Sequence, residues 1–594
     1  MKRLHYFVLI ATFIVACNAC SSDDTYTDLT AEETNNDNSN SGSSSDGSTT
    51  NVSTADMLGD LSNLSIAVDS TALAETETID ADDEDYLENN EFDQTVYINY
   101  NGATATATGS VEGVDISISG ADVVVTSTTK GVNYVLSGST TNGMFKMATG
   151  TDDKKFQLTL NGVYIYNADG PAVNIQAGKR CYVTLSDGTQ NYLADGTSYA
   201  SSSEDQKATL FSEGKLLFNG SGSLRVYSNA KSGICSDDYV LFRPGVNIYV
   251  KSTSNHGIKS NDGIFVRGGV INVETSATAA KGLKTDARYE QSGGRVTAIT
   301  SGGGEYDSDD QDVSAAAGVK ADSTITISGG SLYCKSTGKG GKGISTDMEL
   351  VVTGGTVMAI TTGQTYSYSS SLDSKAKGIK SDGNMTISGG HMVAKATGGS
   401  GSEAIESKGT ITQSGGIVEA YAYDDGINSA SHMYLKGGLM SIYSSSNDGI
   451  DTNGNLYLQG GTAVAYGTRA PECGIDANEE GGYSVYFTSG NLFAIGGGNS
   501  TPSSSQSTQG YVTASGSVSK GSTATLVSGS TTMATFSLPY AYQSGTILAT
   551  ASGMTSGQSY TLTVGSSSAS LTAQQYGSGR MGGGMGGMGR MGAR

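Results

Sequence analysis

The stretch whose reading decides the fold runs Gly257-Ile258-Lys259-Ser260-Asn261, followed shortly by Ile264-Phe265-Val266-Arg267-Gly268-Gly269-Val270-Ile271-Asn272-Val273. Its opening phrase recurs at Gly233, Gly282, Gly318, Gly343, Gly378, Ala404, Gly426, Gly449 and Gly474, at intervals of 24, 25, 36, 25, 35, 26, 22, 23 and 25 residues. A period in the twenties means stacked units that cannot bury their apolar faces alone. Each unit shows strand alternation and turn glycines but no helical period. The leucine-and-asparagine consensus of leucine-rich repeats is missing. The expected fold is all-β: a right-handed parallel β-helix with an N-terminal β cap and a small C-terminal β module.

Strand side chains alternate between faces, so the phrase sorts itself. With the aliphatic residue after the glycine as position zero, position plus two is always small: Ser236, Ser260, Thr285, Ala321, Thr346, Ser381, Ser407, Ser429, Thr452, Ala477. These face inward. Position plus one faces outward and reads Cys235, Lys259, Lys284, Lys320, Ser345, Lys380, Glu406, Asn428, Asp451, Asp476. Position plus three carries Asp237, Asn261, Asp286, Asp322, Asp347 and Asp382 on the earlier coils. One wall is therefore expected to bear a lysine row beside an aspartate row, turning acidic toward the last coils. Lys281, Lys342 and Lys377, just before the glycine, add positive charge.

Around this core the chain divides as follows. Residues 1–20 are a targeting segment: Lys2 and Arg3, an apolar run too short to remain as a spanning anchor, and two cysteines, Cys17 and Cys20. The pattern resembles a bacterial lipoprotein signal, and Ser21-Ser22-Asp23-Asp24 resembles the export signal of surface-exposed lipoproteins. Cys20, with Cys17 as the alternative, is the expected lipidation site, which implies an outer-membrane, cell-surface location through a lipid anchor. Residues 21–93 are expected to be a disordered acidic tether, since low hydrophobicity and one-signed charge leave little to offset ordering entropy. That segment holds 20 acidic residues and no Lys or Arg, so the net charge of −23 falls to −5 once it and Lys2 and Arg3 are set aside. The near-neutral remainder is no obstacle to an acidic ligand. Residues 94–226 read as an N-terminal cap with irregular first coils, and 227–499 as the regular β-helix. Residues 500–508 read as a linker, 509–576 as a small β module, and 577–594 as a disordered Gly/Met/Arg tail. Long intervals mark two insertions, 302–316 and 364–376; the second contains Tyr366, Tyr368 and Asp373.

Leu158-Thr159-Leu160-Asn161-Gly162-Val163, Gly170-Pro171-Ala172-Val173-Asn174-Ile175 and Leu185-Ser186-Asp187-Gly188-Thr189-Gln190-Asn191-Tyr192-Leu193, with the His256-Gly257-Ile258-Lys259 phrase, resemble a family of bacterial extracellular carbohydrate-binding proteins. The resemblance implies bound calcium, affinity for polygalacturonate-like polymers and kinship with a polysaccharide lyase family. Ala404 and Pro244-Gly245 depart from its pattern.

Calcium takes about six to eight oxygen ligands. Asp424, Asp425, Asp448 and Asp451 are the first expected set, because stacking would bring Asp425 beside Asp448 and Asn428 beside Asp451. Asp237, Asp238 and Asp262 are the second. Asp-Gly is also ordinary turn chemistry. Lys259, Lys284, Lys320, Lys380, Lys281 and Lys377 are the expected contacts to a uronic-acid polysaccharide; diagonal Lys–Asp pairing on a solvated sheet is the plain alternative. Four histidines and the scattered Cys181, Cys235, Cys334 and Cys473 have no metal or disulfide spacing. Nothing points to nucleic acid, and a monomer is expected. The preferred reading is non-catalytic, calcium-assisted polysaccharide binding. The alternatives are a calcium-dependent lyase, with Lys259, Lys284 or Lys320 as base, and a structural or adhesive surface protein.

Overall fold

The computed structural model describes residues 69–148 and 155–576, all within one unit spanning residues 51–594. Cys17 and Cys20 lie outside the described residues, as does the tail 577–594. The chain winds into a parallel β-solenoid with three strands per coil, as in Ile258–Ser260, Gly263–Val266 and Val270–Thr275. Successive copies of each strand pair in parallel and build three walls. The first wall is a 15-stranded sheet. The second and third belong to one sheet because Phe156–Asn167, Leu456–Tyr466 and Val485–Gly496 run through both.

Register on the first wall follows the phrase. Ile234 faces Ile258, then Leu283, Val319, Ile344, Ile379, Ile405, Ile427, Ile450 and Ile475, and all are buried. The small residues at plus two are buried as well, and their hydroxyls serve the corner into the second wall. Ser260 Oγ donates to Gly263 O at 2.8 Å, Ser429 Oγ to His432 O at 3.0 Å and Thr452 Oγ1 to Ser431 O at 2.7 Å. A bend leaves carbonyls off the ladder, and a short hydroxyl meets them without crowding the core.

The Gly-Gly pairs make the corner between the second and third walls. Gly294 has φ +68°, and a Cβ there would lie 2.6 Å from the backbone carbon of Gly268 on the coil below. Glycine is needed for both reasons. Ala404 replaces the phrase glycine where the core is small. Gly282, Gly343 and Gly378 face Ala298, Ala359 and Ala394, and Ala420 occupies the matching place one coil on.

At the start, Gln94–Asn101 pairs antiparallel with Thr104–Thr108, and Val114–Ser119 with Asp122–Ser127. At the end, Tyr542–Thr550 runs antiparallel to Val485–Gly496 and to Val512–Val518, and a separate four-stranded antiparallel sheet packs beyond. The antiparallel strand pairs with the last coil where a parallel stack would otherwise end in open hydrogen-bonding groups. The linker expected over 500–508 is different. Ser500 and Thr501 are buried, Asn499 Oδ1 accepts from the Ile475 N–H at 3.1 Å, and Ser500 Oγ from the Ala477 N–H at 3.1 Å. Side chains and backbone there continue the ladder together, since the Ser500 N–H also donates to Ile475 O at 3.0 Å.

The tether expected over 21–93 needs correction from residue 69 onward; residues 21–68 lie outside the described residues. Residues 69–93 lie against the outer side of the second wall. Arg180 pairs with Glu84 and Asp85 at 2.9 Å, Arg243 with Glu77 at 2.5 Å and Glu88 at 2.8 Å, and Arg267 with Asp83 at 3.3 Å. Composition alone marks this segment as unable to order itself. What orders it is a set of arginines far apart in sequence that coiling brings together.

Candidate functional site

The outward column at plus one is continuous: Cys235, Lys259, Lys284, Lys320, Ser345, Lys380, Glu406, Asn428, Asp451 and Asp476 are successive register partners. Its lysines are zipped to the neighbouring aspartates. Lys284 Nζ lies 2.8 Å from Asp286 and 2.5 Å from Asp322, while Lys320 pairs with Asp322 at 3.3 Å and with Asp347. Lys259 reaches Asp286 at 3.6 Å, and Lys380 reaches Asp382 at 2.7 Å. Burial alone would raise the Asp322 carboxyl, but the hydrogen bond and charge of Lys284, then Lys320, hold it below its ordinary value. The row exists as expected, with its positive charge already answered.

A second column, before the phrase glycine, lies deeper: His256, Lys281, Lys342, Lys377, Glu403, Asp425 and Asp448, with Ala317 between Lys281 and Lys342. Burial lowers His256 to about 3, and its Nδ1 accepts from the Lys281 N–H at 3.0 Å. Burial and then the charge of Lys284 lower Lys281 to about 8; its ammonium donates to Ser314 Oγ at 2.7 Å. Lys342 donates to Gly340 O at 2.7 Å and to Ser374 Oγ. Burial, then Lys380 and Lys377, lower it to about 7. Both serines come from the insertions, which form antiparallel hairpins, Gly304–Asp307 with Asp312–Ala315 and Tyr366–Ser367 with Asp373–Ser374. Tyr306 and Tyr368 stack between them at 4.2 Å. Lys377 is buried between Glu403 at 2.8 Å and Glu406 at 3.5 Å, and Lys408 also holds Glu406. Burial raises Glu403, whereas at Glu406 the opposing charges of Lys377 and Lys408 outweigh burial and lower the carboxyl.

Beyond Glu403 the column becomes carboxylate. Asp425, Asp448 and Asp451 each bring one oxygen within 4.8 Å of the others, and Asp425 and Asp448 are buried. Asp425 accepts from the Asp448 N–H at 3.1 Å and from Asn428 Nδ2 at 3.2 Å; the same amide donates to Asp451 at 3.0 Å. Asp448 accepts from the Cys473 N–H. Burial, then Glu403 and Asp448, push the Asp425 carboxyl well up; burial, then Asp476, do the same at Asp448. Like charges gathered out of water favour either protonation or a cation. The donor set is hard oxygen throughout, with the Asn428 amide able to turn its oxygen inward, which fits calcium or magnesium rather than zinc. Asp448, Cys473 and Asp476 form an overlapping group.

The other expected metal residues fall elsewhere. Asp424 accepts from Asn447 Nδ2 at 2.6 Å and from the Gly401 N–H, fastening a loop. Asp237 groups with Asp205 and Glu213, not with Asp238 and Asp262, and Lys207 already sits 2.6 Å from Asp237 and 2.8 Å from Asp205. Asp238 Oδ1 accepts from the Tyr239 N–H, and Asp238 O from the Asp262 N–H, both within the corner turn. Adjacent in sequence, Asp237 and Asp238 diverge because the chain bends at them, between the strands Ser232–Ser236 and Tyr239–Phe242.

A parallel β-solenoid with a charged, axially ordered outer wall is the class that fold and site define. The chain belongs to the family of carbohydrate-binding domain-containing proteins, whose match spans residues 119–426. Among solved structures, the polysaccharide lyase-like protein from C. thermocellum, determined as a gadolinium derivative, is similar at 21% identity over 49% of this chain and 96% of its own, with a TM-score of 0.33. No curated protein matches this chain.

Proposed function

We propose that this chain is a lipid-anchored cell-surface protein that holds an acidic, uronate-containing polysaccharide with the help of calcium, without cleaving it. Carbohydrate binding is the property of its family. The observation that carries the finer reading is the Asp425–Asp448–Asp451 group on consecutive coils, two of its carboxylates buried with other acids around them. Asp425, Asp448, Asp451 and Asn428 would hold the ion, which would supply a positive site for a polymer carboxylate on a wall that otherwise repels it. The lysine row contributes less than its charge suggests, because each lysine is paired.

A lyase reading draws on a different residue from those the sequence favours. Lys259, Lys284 and Lys320 are paired with aspartates, whereas Lys342, lowered to about 7 and with no carboxylate partner among the described residues, has the character of a base. Lys342 stands three rungs from Asp425, through Lys377 and Glu403, or about 14 Å at the spacing of parallel strands. No single sugar ring spans that distance, so calcium and this amine cannot act on one uronate.

Retention on immobilised polygalacturonate, with calcium or with chelator, separates the readings when absorbance from unsaturated products is followed together with it. Calcium-dependent retention without new absorbance is expected. Rising absorbance would make the protein a lyase, and no retention in either condition would leave a structural surface role.

A further inference from the structure

The second wall carries a basic and aromatic groove that no lysine of the first wall contributes to. Its occupant is the chain's own acidic segment, residues 69–93. Arg180, Arg243, Arg267 and Arg295 take carboxylates from Glu84 and Asp85, Glu77 and Glu88, Asp83, and Asp69 respectively, and the Gly294 N–H donates to Glu75 Oε2 at 2.6 Å. The segment is held in two ways. Residues 86–92 are apolar anchors: Tyr86 is buried under the guanidinium groups of Arg243 and Arg267, at 4.7 and 5.0 Å, and Leu87 and Phe92 pack on Tyr182, Leu217 and Leu241. Residues 69–85 are held by ion pairs together with hydrogen bonds, from Gly294 N–H to Glu75, Tyr182 Oη to Glu84 O and Tyr239 Oη to Asp85. Such pairs are individually weak and screened by salt.

Where this acidic strap stops covering the groove, a cavity of about 370 Å³ opens, lined by Asp85, Tyr239, Phe265, Arg267, Arg288 and Gln291 among others. Arg288 lies 5.2 Å over the Phe265 ring and is 56% exposed, paired among the described residues with the exposed Glu290. Arg267 Nη1 is buried with no hydrogen-bond partner. Planar guanidinium forks beside ring faces suit a carboxylated pyranose: the fork takes the carboxylate and the aromatic face takes the ring.

We infer that this groove is a second glycan-binding site, selective for a polysaccharide with regularly spaced carboxylates, and that the strap at residues 69–85 is its built-in competitor. A uronate chain enters at Arg288 and Arg267, displaces Asp83, and peels the strap toward Asp69 while residues 86–92 stay anchored. The inference shares with the proposed function only the acidity of the glycan; it requires no calcium.

The test uses the full chain in chelator. Neutralising the strap (Glu75→Gln, Glu77→Gln, Asp83→Asn, Glu84→Gln and Asp85→Asn) should raise retention on polygalacturonate about tenfold, since like charges no longer oppose the ligand. Adding Arg267→Ala and Arg288→Ala should abolish the gain. No gain, or a gain that survives the arginine substitutions, overturns the proposal, and an equal gain on poly-glutamate overturns the glycan assignment. Unfolding of the neutralised variant would not block the test: in wild type with chelator, oligogalacturonate should accelerate amide exchange across residues 69–85 but not 86–92, and unchanged exchange overturns it. A wild type with no calcium-dependent retention, beside a neutralised variant that gains retention in chelator, would sink the calcium reading and leave this one standing.

Discussion

Asp448 and Lys342 show how one column produces opposite chemistry. Both precede a phrase glycine, and both have their ordinary charge disfavoured by burial. The Asp448→Asn substitution removes a buried like charge while keeping the shape. In chelator the variant should melt higher than wild type. In calcium it should lose the stabilisation that saturating ligand gives, about 2.7 kcal/mol at a hundredfold excess over Kd. Calorimetry in both conditions checks this, and a variant that still responds to calcium contradicts it. Lys342, lowered to about 7, should be acylated at pH 8 well ahead of Lys320, whose ammonium is paired with Asp322 and Asp347; peptide mapping reads the order. Lys320→Ala should change glycan retention by less than about fivefold, because its ammonium is already answered by Asp322 and Asp347.

Among the elements, the glycine corner offers a stability test with an internal control. Gly294→Ala places a methyl against the backbone of the coil below in a left-handed conformation, which should cost more than the roughly 1–3 kcal/mol of strain alone. Gly162 has a similar φ of +70° but open space around it, so Gly162→Ala should cost only about 1–2 kcal/mol. Equal losses in thermal unfolding would refute packing as the cause. The first wall was legible before any coordinates because its phrase repeats strictly: Ile258, Lys259 and Ser260 announce three different environments, and the columns through them hold register. The strap was not legible. Glu77, Asp83 and Glu88 sit in a segment whose composition reads as disorder, and Arg180, Arg243, Arg267 and Arg295 become one row only after coiling. Asp237 and Asp238 failed as a pair because the chain bends at them, after the strand Ser232–Ser236 has ended. The sequence places Lys281, Lys342 and Lys377 just before a phrase glycine, and carrying the same reading on to Glu403 and Asp425 completes the column, though not its depth.

For the whole molecule, charge changes sign along the axis: buried lysines serve the middle coils and buried carboxylates the last ones. Burial, then the facing acids, lifts Asp425 and Asp448, so the folded chain keeps protons that the unfolded chain has released. In chelator, stability should therefore fall as pH rises from about 4 through the lifted values. Calcium should cancel the fall near neutrality and do nothing where the carboxylates are already protonated. Thermal melting across pH, with and without the ion, reads both limbs. The most direct comparison is retention on polygalacturonate for wild type and Asp448→Asn, each in calcium and in chelator. Wild type in calcium should be held most strongly, with the other three left at the weak level that the strapped groove allows. Equal retention of wild type in chelator, or of Asp448→Asn in calcium, would contradict a glycan site built on these carboxylates.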